Sequence, residues 1–311
     1  DEFIADAGKF DYDRIVAVGG GAGMDMSKVV AVAGGASIDD VIDHLPDFKR
    51  SVRLVLVPTT CGTGSEVTEI AAINRTRLGC KAGIAGPEMF ADDAVLVPEL
   101  LYGLPDHVFA TSSLDALVHS VESTLSPNST PYTRMFGYEA MKMIISGYKA
   151  VAEAGPAGSP ECRAKRNELM RDFLIASDYA GISFDTGGCA AVHALSYQLG
   201  GKYHVPHGES NYAMFTGVLR NYMEIKPEGE ILKMNQFIAD ILGCDVADVY
   251  DALETLINKL LPKKALHEYG VTEQDLPEFA DRVIKTQERL MKNCFVPLDY
   301  DRVLKIFKEL Y

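Results

Sequence analysis

Through the first hundred residues, short apolar runs alternate with stretches of helical character. Residues 13–18, DRIVAV, form a β-branched run that stops at Gly19, Gly20 and Gly21. The MDMSKVVAVAGG that follows has the apolar spacing of a helix. Residues 53–57, RLVLV, predict a second buried strand closed by Pro58, and TTCGTGSE after it reads as a loop of small and hydroxyl-bearing residues. A third apolar run, AVLVP at 94–98, also ends at a proline. Strands alternating with helices predict a parallel α/β sheet whose functional loops lie at the strand C-termini.

Beyond Leu104 and Pro105 the pattern changes. SSLDALVHSVESTL, MFGYEAMKMIISGYKAV, AKRNELMRDFLIASDYAGI and DVYDALETLINKLL are long amphipathic stretches, and they predict a remainder that is mostly helical. GPAGSP at 155–160 reads as a loop between helices. The change of texture divides the chain into an α/β domain over 1–107 and a helical domain over 108–311.

Composition narrows the class. A length of 311 residues, at roughly 150 residues per domain, accommodates two domains. The net charge of −14 argues against a nucleic-acid partner, because a phosphate backbone demands a positive face. No run approaches the ~20 apolar residues that span a bilayer. Six cysteines without C-x-x-C spacing favour reduced thiols in a cytoplasmic protein. The chain opens on Asp1, so a trimmed or partial N-terminus is expected.

Four stretches carry candidate chemistry. VGGGAGMDMSK at 18–28 places glycines between strand and helix, where backbone amides and the helix field can receive a phosphate. A tight turn explains the glycines equally well, and Asp25 with Lys28 could equally be an exposed pair on the helix. PTTCGTGSE at 58–66 offers Thr59, Thr60, Thr63 and Ser65 on a loop that could equally just cap the next helix. In DALVH, Asp115 and His119 lie one helical turn apart, a spacing that suits half a metal site or a surface hydrogen bond. His193 falls on an apolar, helical stretch, CAAVHALSY, and His207 lies between Pro206 and Gly208. Taken together, one Asp and three His form a set of borderline donors suited to Fe²⁺, with Zn²⁺ served by the same ligands, and unlike the all-oxygen sets of Mg²⁺ or Ca²⁺. His44, His107 and His267 have no such company and read as surface or packing residues.

In order along the chain, GGGAGMDMSK, PTTCGTGSE, DALVH and HALSYQLGGKYHVPHG resemble the four motifs of the iron-dependent, or group III, alcohol dehydrogenase family. VPTTCGTGSEVT, SSLDALVH, SPNSTPYT and GGKYHVPHGESNY are similar in particular to the 4-hydroxybutyrate branch of that family. The resemblance implies a Rossmann-like nucleotide-binding domain followed by an all-helical metal-binding domain, with the active site in the cleft between them. It further implies hydride transfer between NAD(H) and a primary alcohol or aldehyde, 4-hydroxybutyrate and succinate semialdehyde above all, and pairing of the chain into a homodimer. Carried over by position, the metal ligands are Asp115, His119, His193 and His207. The pyrophosphate turn is Gly20, Gly21, Ala22, Gly23 and Asp25, with further cofactor contacts at Thr59, Thr60, Thr63 and Lys81.

Three departures from the family pattern stand out. Ala22 replaces a serine, which removes a hydroxyl and keeps the amides. Tyr197 replaces a second histidine one helical turn after His193, where the usual proton relay stands. The chain also begins just ahead of the glycine turn, so the nucleotide domain is expected to lack its first strand–helix unit. For the distal carboxylate of the substrate, Lys202 and His204 are the candidate cations, with Tyr197 and Tyr203 as hydroxyl donors; Lys202 reads at least as well as a solvated loop residue. Two other classes remain open: other alcohol dehydrogenases of the family, acting on butanol or lactaldehyde, and a lyase of the dehydroquinate synthase type, whose Glu/His/His set differs from the Asp-x-x-x-His helix here. A metal-binding scaffold without activity is the further alternative if the missing unit is essential.

Overall fold

A computed structural model describes residues 1–75 and 80–311, with 74, 75 and 80–82 described by backbone alone. A short helix α1 (Glu2–Ala7) leads to β1 (Arg14–Gly19), then to α2 (Gly21–Ala33), α3 (Ile38–His44) and β2 (Arg53–Pro58). The hairpin β3 (Ile70–Arg75) and β4 (Cys80–Ala85) comes next, and β5 (Asp93–Ala94) closes the α/β part. Strands β1, β2 and β5 pair in parallel in that order, with Val16 opposite Val55 and Leu56 opposite Ala94. β1 is one of the two edge strands, and Val16 and Val18 on it are exposed.

Two features differ from the sequence expectation. Of the run at 94–98 only Ala94 joins the ladder, together with Asp93 before it, because beyond Val95, whose amide still donates to Leu56, the chain turns at Pro98, which has no N–H to offer a ladder. The antiparallel β3–β4 ribbon was not anticipated: IAAINR and CKAGIA are too rich in alanine, glycine and charge to read as strands.

From residue 106 onward the chain is helical among the described residues: α4 (Asp106–Leu125), α5 (Pro131–Ala154), α6 (Pro160–Glu168), α7 (Met170–Gly187), α8 (Ala191–Tyr203) and α9 (His207–Ile225). They are followed by α10 (Glu230–Leu242), α11 (Val249–Asn258), α12 (Asp275–Thr286), α13 (Glu288–Met291) and α14 (Tyr300–Leu310). Thr130 forms a capping box at the start of α5 with Thr133, and Pro131 takes the first helical position. α4 is the hub, packed by α5, α7 and α9, with sixteen of its twenty residues buried. Its polar residues are therefore buried too, and each needs a partner to offset lost hydration.

The loop after β2 is pressed against this helical core. A β-carbon on Gly62 would lie 2.3 Å from the Ser112 carbonyl oxygen of α4, and one on Gly64 would lie 2.5 Å from Gly181 Cα of α7. Gly64 also has φ +58°, in the left-handed region. The glycines of GTG are what let the backbone come this close.

Candidate metal centre and cofactor cleft

On α4, Asp115, His119 and Glu122 occupy positions i, i+4 and i+7, one face of the helix. All three are buried. The face looks onto the first turn of α8, which carries His193, and onto the start of α9, which begins at His207. Gly208 makes the second approach possible: a β-carbon there would fall 1.9 Å from the Thr111 carbonyl oxygen of α4.

Three imidazoles converge on one carboxylate oxygen. Asp115 Oδ1 lies 3.8 Å from His119 Nε2, 3.5 Å from His193 Nε2 and 3.5 Å from His207 Nε2. In two of the rings the far nitrogen is already engaged. His193 Nδ1 donates to Glu122 Oε2 at 2.6 Å, and His119 Nδ1 donates to the Gly62 carbonyl at 3.2 Å. A ring that donates from Nδ1 presents the lone pair of Nε2 when neutral, so both point a ligand atom at the same space. Burial would raise the Asp115 carboxyl, but the neighbouring histidines outweigh that and hold it below the usual carboxylate range.

The donor set fits a borderline divalent ion: one carboxylate and three imidazoles, two of them fixed from behind. Asn211 closes the same space. Asn211 Nδ2 donates to Asp115 Oδ1 at 2.7 Å and faces His193 Nε2 at 3.2 Å and His207 Nε2 at 3.4 Å, which leaves its buried Oδ1 without a partner. Cys189 completes the surroundings, its sulfur within 4.8 Å of donor atoms of His119 and His193.

Glu122, Asn211 and Cys189 were missed in the sequence. Glu122 was findable, since it continues the Asp115–His119 face by one more turn. It accepts from the Ala190 and Val192 amides at 3.0 and 2.6 Å as well as from His193, so one carboxylate both starts α8 and orients its ligand. Asn211 and Cys189 lie four residues from His207 and His193 respectively, but only the packing reveals which way they point.

The glycine turn lies beside this centre. Gly20 is the N-cap of α2, and the amides of Gly21 and Ala22 have no acceptor among the described residues. Such amides at the start of a 13-residue helix suit an anion. Thr59 N donates to Gly19 O at 3.0 Å; Thr60 and Thr63 flank Gly20 and Gly21, where a β-carbon would lie 3.5 Å and 2.6 Å from their methyl groups. Around Gly23 a β-carbon would meet nothing. Adjacent residues of a single loop thus touch both sites, with Gly62 on His119 and Thr63 on the glycine turn.

Other predicted residues are placed differently. Asp25 accepts from Ser65 Oγ at 2.6 Å and from Ala72 N at 2.9 Å, which clamps the turn to the loop and the ribbon. Lys28 is not the exposed partner expected of it. It is 0 % exposed and donates to the carbonyls of Thr68 and Ile70, both at 2.8 Å, because the helix face it occupies is the one that packs on β3. Lys202 and His204 are not brought to the metal centre. Lys202 faces α12, where it pairs with Asp275 and lies 3.6 Å from Glu278, and Tyr203 Oη donates to Asp275 at 2.6 Å. His204 is exposed and ends α8 with φ 55°. Tyr197 is at the site: its ring centroid lies 5.9 Å from that of His207 and 6.5 Å from that of His193. Burial raises its phenol above the ordinary value, partly countered by His193 and Arg289. The Lys81 side chain lies outside the described residues.

Comparison with known proteins defines the class. Residues 1–98 match the sequence profile of the iron-containing alcohol dehydrogenases and residues 109–311 that of the C-terminal part of the same family. The chain belongs to the iron-containing alcohol dehydrogenase family. It is 44 % identical over 308 residues to a 4-hydroxybutyrate dehydrogenase of Clostridium kluyveri, covering 99 % of this chain and 81 % of the relative. It is 32 % identical over 320 residues to a sulfoacetaldehyde reductase of Bilophila wadsworthia, covering 97 % and 78 %. Among solved structures, a sulfoacetaldehyde reductase of Bifidobacterium kashiwanohense in complex with NAD⁺ is similar with a TM-score of 0.85 and 25 % identity, covering 100 % of this chain and 79 % of that one.

Proposed function

We propose that this chain is an NAD(H)-linked, iron-dependent dehydrogenase that interconverts 4-hydroxybutyrate and succinate semialdehyde. The observation that carries the reading is the double contact of the 58–66 loop, which holds a phosphate-type glycine turn and a four-donor cluster at adjacent residues. The 44 % identity to a 4-hydroxybutyrate dehydrogenase supports the substrate. The ligands in this reading are Asp115, His119, His193 and His207. The cofactor would be held at the turn of Gly20, Gly21, Ala22 and Gly23, where the amides of Gly21 and Ala22 are open to its phosphates, with Asp25 steadying the turn and Thr59, Thr60, Thr63 and Lys81 beside it.

A divalent ion held by these four residues would supply Lewis-acid chemistry, and a bound nicotinamide would supply the hydride acceptor or donor. The residues do the rest. Glu122 and Gly62 fix the ring orientation of His193 and His119, and Asp115 keeps its charge at the centre. His207, the most exposed of the four with a side chain 38 % accessible, marks the open side. Tyr197 lines that side and, in place of the family histidine, offers a phenol that can pass a proton outward.

The domain division is read as 1–107 and 108–311, in keeping with the last strand at Ala94 and the first long helix at Asp106. No described helix is long and apolar enough to cross a membrane, and the described cysteines are free thiols. Free thiols suit a reducing compartment, and a cytoplasmic enzyme acting on a small molecule is the reading proposed. A homodimer is the expected assembly, and a monomeric mass by light scattering overturns it. The activity is tested by supplying the purified protein with Fe²⁺, NADH and succinate semialdehyde. NADH should be consumed; turnover of butanal with none of succinate semialdehyde overturns the substrate assignment.

A further inference from the structure

A substrate with a distal carboxylate calls for a cation or a group of hydrogen-bond donors, and Lys202 and His204 are turned elsewhere. Arg289 is another cation to consider. Arg289 projects from α13, which packs against α8, the helix carrying His193 and Tyr197. Its Nη2 lies 3.1 Å from where a β-carbon of Gly83 would stand. The guanidinium therefore rests over β4, on the α/β side of the cleft, while its helix belongs to the other side. Its charge reaches the phenol of Tyr197, whose ring in turn neighbours those of His207 and His193.

Arg289 is held from behind. Asn293 Nδ2 donates to the Arg289 carbonyl at 3.3 Å and to the Cys189 carbonyl at 2.9 Å, and Asn293 Oδ1 accepts from Asn128 Nδ2 at 2.9 Å. Gly188, with φ +76°, leaves room for Asn293, since a β-carbon there would lie 2.4 Å from its Nδ2. One side chain thus ties the base of Arg289 to the segment that leads into His193.

The guanidinium also has no carboxylate of its own. The chain carries 44 acidic and 30 basic residues, and most of its described arginines hold a carboxylate, as in Arg53–Asp93, Arg163–Asp106 and Arg302–Glu224. Arg289 pairs with none among the described residues, and residues 74–82, NRTRLGCKA, contain no Asp or Glu that could serve. A fork of donors left open toward a cleft suits a planar carboxylate, which it grips with two parallel bonds.

We propose that Arg289 is the specificity-determining residue of this enzyme, gripping the distal carboxylate of the substrate and selecting ω-hydroxy acids and their semialdehydes over neutral alcohols. The inference rests on the substrate reading above. A cofactor phosphate offers the same anionic oxygens, so the test separates the two anions.

The test uses the full chain loaded with Fe²⁺ and compares wild type, Arg289→Ala and Arg289→Lys with succinate semialdehyde, with butanal and with varied NADH. Removing a charged hydrogen-bond partner should lower kcat/KM for succinate semialdehyde about 10- to 100-fold, chiefly through KM, with partial recovery in the lysine variant. Turnover of butanal and KM for NADH should change less than about twofold. Equal losses on both aldehydes, or a raised KM for NADH with the aldehyde preference kept, overturns the proposal. A wild-type enzyme that turns over butanal but not succinate semialdehyde overturns the substrate reading instead. Thermal unfolding of each variant at the wild-type temperature excludes a loss of fold as the cause.

Discussion

Glu122 and His193 stand 71 residues apart in the chain and 2.6 Å apart in the fold, carboxylate to imidazole, both buried. The pair aligns one ligand of the metal centre, and the same carboxylate receives the first amides of α8. Glu122→Gln keeps the shape and removes the charge that fixes the ring. Metal affinity should fall roughly 10- to 100-fold, in line with other losses behind a ligand. Competition with a chelator measures it; an unchanged affinity shows that Glu122 only starts the helix.

Gly208 tests the approach of His207 to the centre. With the Thr111 carbonyl oxygen 1.9 Å from the added carbon, Gly208→Ala must move the start of α9 away from α4. Overpacking of this kind costs about 1–3 kcal/mol. A lower melting temperature together with lower iron content after dialysis is the expected pair of results; normal iron content in the folded variant refutes the placement of His207.

Gly23 separates the fold from cofactor binding. A β-carbon there meets no protein atom, so Gly23→Ala should stabilise α2 by roughly 0.5–1 kcal/mol through helix propensity. If the space belongs to a pyrophosphate, the same methyl group should raise KM for NADH several-fold. A variant that melts higher and binds NADH as before places the cofactor elsewhere.

Glu66, at the end of the 58–66 loop, sets a pH dependence. It is 2 % exposed and neither carboxylate oxygen has a hydrogen-bond partner. Burial pushes its carboxyl up from 4.5 to about 7, with Asp178 adding to the rise and Lys28 opposing it. Because the folded value lies above the unfolded one, the folded chain holds the proton more tightly. The stability from this group is present below about 4.5 and lost as pH rises through about 7. Glu66→Gln should match wild type in acid and exceed it above neutrality by up to about 3 kcal/mol. Denaturant unfolding at pH values on either side of that window reads the difference, and parallel pH curves for the two proteins would exclude a buried, titrating Glu66.

Much of the site was legible because it is written locally. The i, i+4 spacing of Asp115 and His119 already put both on one helix face, and the glycines at 19–21 already announced a turn before a helix. Lys28 was not legible: the period of α2 left the lysine on the face that β3 covers, and β3 itself was hidden by alanine and glycine. Lys202 was hard to read for the opposite reason, since closeness in sequence to His207 says nothing about the Asp275 that claims its ammonium group.

The sequence by itself determined the donor types, their helical phase and the glycines that admit close backbone approach, because these depend on residue chemistry and a 3.6-residue period. Only the tertiary structure decided which imidazole nitrogen each ligand presents, that Glu122 orients His193, and that Arg289 stands open over β4. Those are matters of direction between segments distant in the chain. Directions of that kind are set when α4, α8, α9 and the 58–66 loop pack together, and no local pattern carries them.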